Sequence, residues 1–293
     1  MVDMPLQRAT SAVRNIFHPT DLSPESEVAF VHALKIAIVT HSALRIMHVQ
    51  SESSEREWSD FPRVRATLAR WGTPTDKSAG DDSFGNLHVN KILAHRHDPA
   101  SSILHELKGN PADLIVLATH QHDALDRLMG KAVAEPVALQ SGVRTLFIPA
   151  GIKGFVDLEN GEVRLGRILI PVDETPSPQP AIDAAVALTS AIGQEQAAFT
   201  LLYIGQETNR PSVNTVSRSG WTWTSTIRPG DVIEQVLQAE SECNPDLIVM
   251  ASAGRQDFLD LLRGSTTERV IRGARCPVFV IPTGSESAAE HHD

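Results

Sequence analysis

Two glycines and a run of hydroxyl side chains stand close together near the end of the chain. Gly254 and Gly264 enclose nine residues, and three hydroxyl residues follow directly: Ser265, Thr266 and Thr267. Glycine lets backbone amides approach a phosphate closely, and the first turn of a helix directs free N–H groups at an anion. Arg255 or Arg263 could add positive charge. The segment therefore predicts a site for a phosphate-bearing ligand, although a glycine turn followed by an ordinary helix cap would have the same sequence.

A carboxylate follows a short apolar run in the same half of the chain. The run Ile168-Leu-Ile is followed by Pro171, Val172 and Asp173. Asp173 could orient a ribose hydroxyl, or it could hold a magnesium ion that bridges phosphates. Both interpretations require the turn at Asp173 to lie beside the glycine segment.

The elements that would position these residues occur twice. The segment Ile16-Phe-His-Pro-Thr-Asp21 matches the run ending at Asp173, Asp113-Leu-Ile-Val-Leu117 matches Asp246-Leu-Ile-Val-Met250, and Phe147-Ile-Pro149 matches Val280-Ile-Pro282. Apolar runs alternate with amphipathic stretches, which favours a parallel sheet with helices on both faces. The predicted strands are 15–18, 43–48, 88–93, 114–118 and 145–149 in the first copy, and 167–171, 199–204, 222–226, 247–251 and 278–282 in the second. In such sheets ligands bind at the carboxyl ends of the strands, where the strand order reverses.

The two copies differ in length between their second and third strands. Residues 54–71 carry apolar side chains at helical spacing, so we expect a helix there, whereas residues 206–220 are rich in Asn, Pro and Ser and predict a loop. Between the copies, Asn160-Gly161 lies among alternating apolar and polar residues. That pattern predicts a β-hairpin with a type I′ turn.

The repeated Pro-x-Asp turn, the Asp-Leu-Ile-Val strand, the Gly-x9-Gly-Ser spacing and Cys276-Pro-Val-Phe-Val resemble the universal stress protein family. The resemblance implies an α/β fold of two tandem doubly wound five-stranded parallel sheets, adenine nucleotide alpha hydrolase-like, with strand order 3-2-1-4-5. It also implies a first domain at 1–150, a hairpin linker at 151–166 and a second domain at 167–293. Members with the full Gly-x2-Gly-x9-Gly pattern bind ATP.

The resemblance assigns roles to residues of the second copy. Asp173 and Ile204 would contact the adenosine, within a site that also includes Pro171, Val172 and Met250. The phosphates would be surrounded by Ala251, Gly254, Arg255, Gly264, Ser265, Thr266 and Thr267. Ala251 replaces the first glycine of the family pattern, so its methyl group could weaken binding. The implied ligand is ATP, ADP or AMP, with Mg²⁺ as a candidate.

The first copy departs further from this pattern. Gln121 replaces the second glycine, eight residues separate it from Gly130, and Lys131 occupies the hydroxyl position. We therefore expect this loop to be degenerate for ATP. Histidines cluster near predicted strand ends of the first copy, which raises the alternative of a zinc site: His18, His95, His97, His120 and His122. Their spacing matches no recognised ligand motif, and His48 resembles a histidine common in the family's second strand.

Composition and missing motifs exclude several classes of function. The formal net charge of −10 argues against nucleic acid as a partner, and no apolar run is long enough for a signal peptide or a membrane span. We therefore expect a cytoplasmic protein. Cys243 and Cys276 are the two cysteines, too few for a disulfide scaffold. No P-loop, dinucleotide-binding or nucleophile-elbow motif is present.

Three functions remain after these exclusions. The first is a regulatory protein of the stress response whose partner surface changes when an adenine nucleotide binds the second domain. The second is a slow ATPase or self-phosphorylating enzyme, with Ser265 or Thr266 as the acceptor. The third is a scaffold that binds no nucleotide. Because family members commonly pair through their last strands, the two copies are expected to form that pair within one chain, and a further homodimer stays open.

Overall fold

The computed structural model describes residues 13–50, 60–73, 83–84, 87–95, 98–119, 134–253 and 266–283. The first repeat contains β1 (Asn15–Pro19), α1 (Pro24–Thr40), β2 (Ala43–Gln50), α2 (Val64–Arg70), β3 (Ser83–Phe84), β4 (Leu87–His95), α3 (Pro99–Gly109), β5 (Leu114–Thr119), α4 (Ala134–Ser141) and β6 (Thr145–Pro149). The second contains β7 (Arg167–Val172), α5 (Gln179–Ala191), β8 (Ala197–Ile204), β9 (Trp221–Arg228), α6 (Val232–Cys243), β10 (Leu247–Ser252), α7 (Thr266–Gly273) and β11 (Val278–Pro282).

The strands form one continuous sheet. Its order over the described residues is β3-β4-β2-β1-β5-β6-β11-β10-β7-β8-β9. Each repeat contributes five parallel strands in the order 3-2-1-4-5, as the family resemblance implied, and β3 adds a short antiparallel pair to the edge of the first repeat. The last strands, β6 and β11, pair antiparallel, with Leu146 opposite Phe279. The two repeats therefore form a pair within one chain.

Alternating side chains give the sheet two buried faces. On β1, Ile16 belongs to the hydrophobic cluster on one face, which includes residues of α1, α2 and α5, whereas Phe17 belongs to the cluster on the other face, which includes residues of α3, α4, α6 and α7. Both hydrophobic clusters contain residues of both repeats, so the apolar core runs through the β6–β11 junction. The helices thus cover the faces of the sheet and leave the carboxyl ends of the strands at its rim.

Two predicted connections differ in detail from the structure. The helix expected over 54–71 is α2, which begins at Val64 because Pro62 interrupts the chain just before it. Residues 54–59 of that prediction lie outside the described part of the chain. In the second repeat, the stretch after β8 is a loop with one short 3₁₀-helix at Glu207–Asn209, as predicted.

The linker between the repeats is an antiparallel ribbon closed by a single bridge between Val156 and Val163. The predicted type I′ turn is wrong, because Gly161 has a positive φ of 68° but Asn160 does not. Asp157 Oδ1 instead accepts hydrogen bonds from the backbone N–H groups of Glu159 (2.9 Å) and Asn160 (3.2 Å), which widens the loop. The ribbon contacts the first repeat through Trp71, whose indole Nε1 donates to Leu158 O at 3.1 Å.

One aspartate in each repeat ties the start of the fourth strand to the start of the first. Asp113 Oδ2 accepts from the backbone N–H groups of Arg14 and Asn15, both at 2.9 Å. Asp246 Oδ2 accepts from those of Gly166 (2.9 Å) and Arg167 (2.8 Å). The repeated Asp-Leu-Ile-Val motif therefore has a structural role at the end of the sheet opposite the predicted ligand site.

We expect Asp113→Ala and Asp246→Ala each to lower the free energy of unfolding by about 1–3 kcal/mol, because each leaves two backbone donors without their acceptor. The double variant should lose the sum, since the two sites share no partner. Urea unfolding followed by tryptophan fluorescence measures all three variants. A double variant no less stable than either single one would contradict this role.

No helix in the described ranges has the length and apolar character needed to cross a membrane.

Candidate functional site

The described site residues of the second repeat lie at the carboxyl rim of the sheet. Pro171 and Val172 end β7, and Asp173 is the first residue after it; Ile204 ends β8. Met250 and Ala251 lie in the last half of β10, and Thr266 and Thr267 begin α7. The remaining predicted residues, Gly254, Arg255, Gly264 and Ser265, lie outside the described part of the chain.

A crevice opens in the sheet beside Asp173. Pairing between β7 and β10 ends at Leu169 opposite Ile248. Beyond that point β7 pairs with β8 alone as far as Val172, and β10 pairs with β11 as far as Ser252. The strand order reverses between β7 and β10, so this is the position where ligands bind in open parallel sheets.

The two repeats use the aspartate after their first strand differently. Asp21 Oδ1 accepts hydrogen bonds from Ser26 Oγ (2.6 Å) and from the backbone N–H of Ser23 (2.9 Å), so this carboxylate is engaged with the first turn of α1. Asp173 is exposed and accepts one hydrogen bond, from the backbone N–H of Glu174 at 2.7 Å. Within the described residues, Asp173 therefore keeps acceptor capacity that Asp21 uses internally.

The equivalent crevice in the first repeat is bridged by an imidazole. Pairing between β1 and β5 ends at Phe17 opposite Ile115, and His18 Nδ1 lies 2.8 Å from Val116 O just beyond it. Because a carbonyl can only accept, Nδ1 carries the proton. Burial lowers the pKa of His18 to about 4, so the ring is neutral near pH 7. The second repeat has Ile170, without any polar group, at the matching position of β7.

Ala251, the departure from the family's glycine, lies in regular strand structure. It pairs with Ile281 and has no positive φ, so the backbone does not require glycine there. Its partly buried methyl group packs against the cluster formed with α5. Met250 points to the other face, where it is buried.

Sequence reasoning missed Tyr203, which lies opposite Val172 at the end of β8. The residue is 6% exposed, and its hydroxyl makes no hydrogen bond with the described chain. Burial, with the carboxylates of Asp173 and Glu174, raises the pKa of the phenol above its usual value. An alignment of the two copies could have pointed to this residue, because Tyr203 occupies the position in β8 that His48 occupies in β2.

The histidines of the first repeat form no metal site in the described part of the chain. No group of three or more potential ligand side chains occurs within it. His18 and His48 each use Nδ1 for a backbone carbonyl, at 2.8 Å in both cases. His95 is exposed, and the other candidates, His97, His120 and His122, lie outside the described residues.

Comparison with protein families agrees with the duplication. The profile of the universal stress protein family matches residues 12–149 and 217–282. The chain belongs to this family. The first stretch covers the first repeat and the second covers the last part of the second repeat, from β9 to β11; together they cover more than half of the sequence.

Solved structures with the same fold include other universal stress proteins. One from Archaeoglobus fulgidus DSM 4304 has a TM-score of 0.61 and 17% identity, with 92% of this chain and 97% of that one covered. A putative universal stress protein from Pseudomonas aeruginosa UCBPP-PA14 has a TM-score of 0.58 and 13% identity over 92% and 94%. A protein of unknown function from Pseudomonas aeruginosa PAO1 has a TM-score of 0.58 and 14% identity over 92% and 93%. No curated protein matches the chain.

This universal stress protein has thus diverged between its two domains. In the first, Asp21 accepts hydrogen bonds from Ser23 and Ser26 at the start of α1, and His18 bridges the crevice. In the second, Asp173 accepts one hydrogen bond, from its own neighbour, and an aliphatic side chain stands at the bridging position. The polar groups of the rim are therefore more available in the second domain.

Proposed function

We propose that the second domain, residues 167–293, binds an adenine nucleotide, ATP in the first instance, and that the protein acts as a nucleotide-responsive regulator in the stress response. The first domain, residues 1–150, and the linker at 151–166 support it without binding nucleotide themselves. Membership of the universal stress protein family supports this assignment. A cytoplasmic location and a homodimer stay predictions of the sequence.

The observation that carries the proposal is the environment of Asp173. Its carboxylate is exposed beside the crevice between β7 and β10 and has a single hydrogen bond, to its own neighbour. A ribose hydroxyl, or a magnesium ion bound to phosphates, would use the remaining acceptor capacity. Thr266 and Thr267 supply hydroxyl groups at the start of α7, whose first-turn N–H groups favour an anion.

The two aspartates give a matched test. We expect calorimetric titration with ATP and Mg²⁺ to show binding to the wild type, and Asp173→Ala to weaken it roughly 10- to 100-fold, because a hydrogen bond to a charged group contributes about 1.5–3 kcal/mol. Asp21→Ala, the control in the first domain, should leave the affinity unchanged.

Two outcomes would overturn the proposal. Absence of binding heat and of a thermal shift with ATP, ADP and AMP would leave the scaffold function. Loss of affinity in Asp21→Ala but not in Asp173→Ala would assign the nucleotide to the first domain. Circular dichroism of both variants confirms that each remains folded.

A further inference from the structure

Tyr203 is a buried ring with an unused hydroxyl at the rim of the second domain. It lies at the end of β8 beside Val172, the last residue of β7, and 6% of its surface is exposed. The oxygen itself reaches solvent at the rim, because it is not one of the buried side-chain atoms that lack a hydrogen bond. No acceptor for the Tyr203 hydroxyl is present among the described residues, so this donor is available to a ligand.

The hydroxyl is directed over the chain that leaves β8. A Cβ atom added at Gly205 would lie 2.7 Å from Tyr203 Oη, so the glycine leaves room for the phenol. The backbone N–H of Gly205 donates to Arg228 O at 2.9 Å, which fixes this turn against β9. The ring is therefore held with its oxygen at the carboxyl end of β8, next to the turn that carries Asp173.

The first domain uses the same position differently. His48 occupies the matching place in β2, and its Nδ1 lies 2.8 Å from Thr20 O, in the turn after β1. His48 also packs edge-on against Phe61, with the ring centroids 6.4 Å apart. In the first domain the histidine at this position thus contacts both the turn after β1 and Phe61. In the second domain the tyrosine at this position has a hydroxyl with no partner among the described residues.

The charge around the hydroxyl restricts what it can bind. The carboxylates of Asp173 and Glu174 both act on the phenol, and they would repel a phosphate group at this point. They also favour the protonated phenol, which donates a hydrogen bond. The fitting partner is a neutral acceptor such as a ring nitrogen of a nucleobase.

We propose that the Tyr203 hydroxyl donates a hydrogen bond to a ring nitrogen of the bound purine, while Asp173 accepts from the ribose. The proposal rests on the proposed function, and it makes Tyr203 the residue that recognises the base. It places the base over the end of β8 and directs the phosphates away from Asp173 and Glu174.

Tyr203→Phe tests the proposal because it removes one oxygen and keeps the ring. We expect the affinity for ATP to fall roughly two- to tenfold, the usual value of a single neutral hydrogen bond. Among 1-deaza-, 3-deaza- and 7-deaza-ATP, one analogue should bind the wild type correspondingly less well and bind the variant without any further loss. 2′-Deoxy-ATP, the control, should lose the same factor with both proteins.

The phenol also supplies a spectroscopic readout, since the sequence contains one tyrosine. Donation to a neutral acceptor stabilises the protonated phenol, so ATP should move its titration, followed at 295 nm, to higher pH. Equal affinity of wild type and Tyr203→Phe for ATP, or an unmoved titration in the complex, would overturn the proposal while leaving nucleotide binding intact. A wild type that binds no ATP would instead overturn the proposed function.

Discussion

Lowering the pH from 7 to 4 should destabilise this protein by about 6 kcal/mol through two histidines alone. Burial lowers the pKa of His18 and of His32 to about 4 each. An unfolded histidine has a pKa of about 6.5, so each contributes about 3 kcal/mol at 1.36 kcal/mol per pKa unit. Of the two large losses of stability that we expect from the structure, this one is the larger.

The direction of the effect follows from proton uptake. Above pH 6.5 both states carry neutral imidazoles, and the full contribution to stability is present. Between pH 6.5 and 4 the unfolded chain binds protons that the folded chain does not, so the free energy of unfolding falls. Below pH 4 the folded state also takes up the protons, and these two residues cause no further loss.

His18→Ile isolates one of the two contributions. The second domain has a fully buried isoleucine, Ile170, at the same position, so the substitution should fold. We expect urea unfolding at pH 7, 5.5 and 4.5 to give a pH dependence that is weaker in the variant by up to about 3 kcal/mol. Carboxylates other than Asp21, which interacts with His18, contribute equally to both proteins and cancel in the difference. Parallel stability curves for variant and wild type would contradict the prediction.

The strands were predictable because each is a short apolar run with its own boundary signals. All ten predicted strands are present, and no end differs from the prediction by more than two residues, the difference found at Ala197 and Gln50. Pairing between the last strands, β6 and β11, was expected from the family resemblance, and the structure adds that it is antiparallel. No local pattern in either strand carries that information.

The wrong or missing predictions concern side-chain contacts, which the apolar pattern of the strands does not encode. The linker turn depends on Asp157, whose side chain competes for the N–H groups that a tighter turn would leave free. Tyr203 has the sequence signature of a core residue, and its unused hydroxyl is visible only when β7 and β8 are paired. His32 contacts the linker across 123 residues of sequence, a contact that helical periodicity does not reveal.

The linker is held to the first domain by His32 of α1. Its Nδ1 donates to Val28 O at 2.7 Å, so Nε2 is an acceptor, and it receives the backbone N–H groups of Phe155 (2.9 Å) and Val156 (3.1 Å). The ring also packs edge-on against the Phe155 ring, with centroids 4.5 Å apart. One buried imidazole therefore satisfies two backbone donors at the start of the ribbon.

Gly154 is the residue that allows this approach. It has a φ of +66°, and an added Cβ atom would lie 2.3 Å from His32 Nε2. Gly151, in the same segment, has a φ of +79° and nothing within 4 Å of the added atom. The positive φ makes an L side chain unfavourable at both positions. Only at Gly154 would the added Cβ atom also collide with His32.

Gly154→Ala should therefore lower the free energy of unfolding by about 3–5 kcal/mol, through backbone strain of about 1–2 kcal/mol and two buried N–H groups that lose their acceptor. Gly151→Ala, the matched control, should lose the backbone strain alone. Urea unfolding measures both variants. Equal losses would mean that the His32 contact contributes little. A larger loss in Gly154→Ala would show that the contact between His32 and the linker contributes to the stability of the fold.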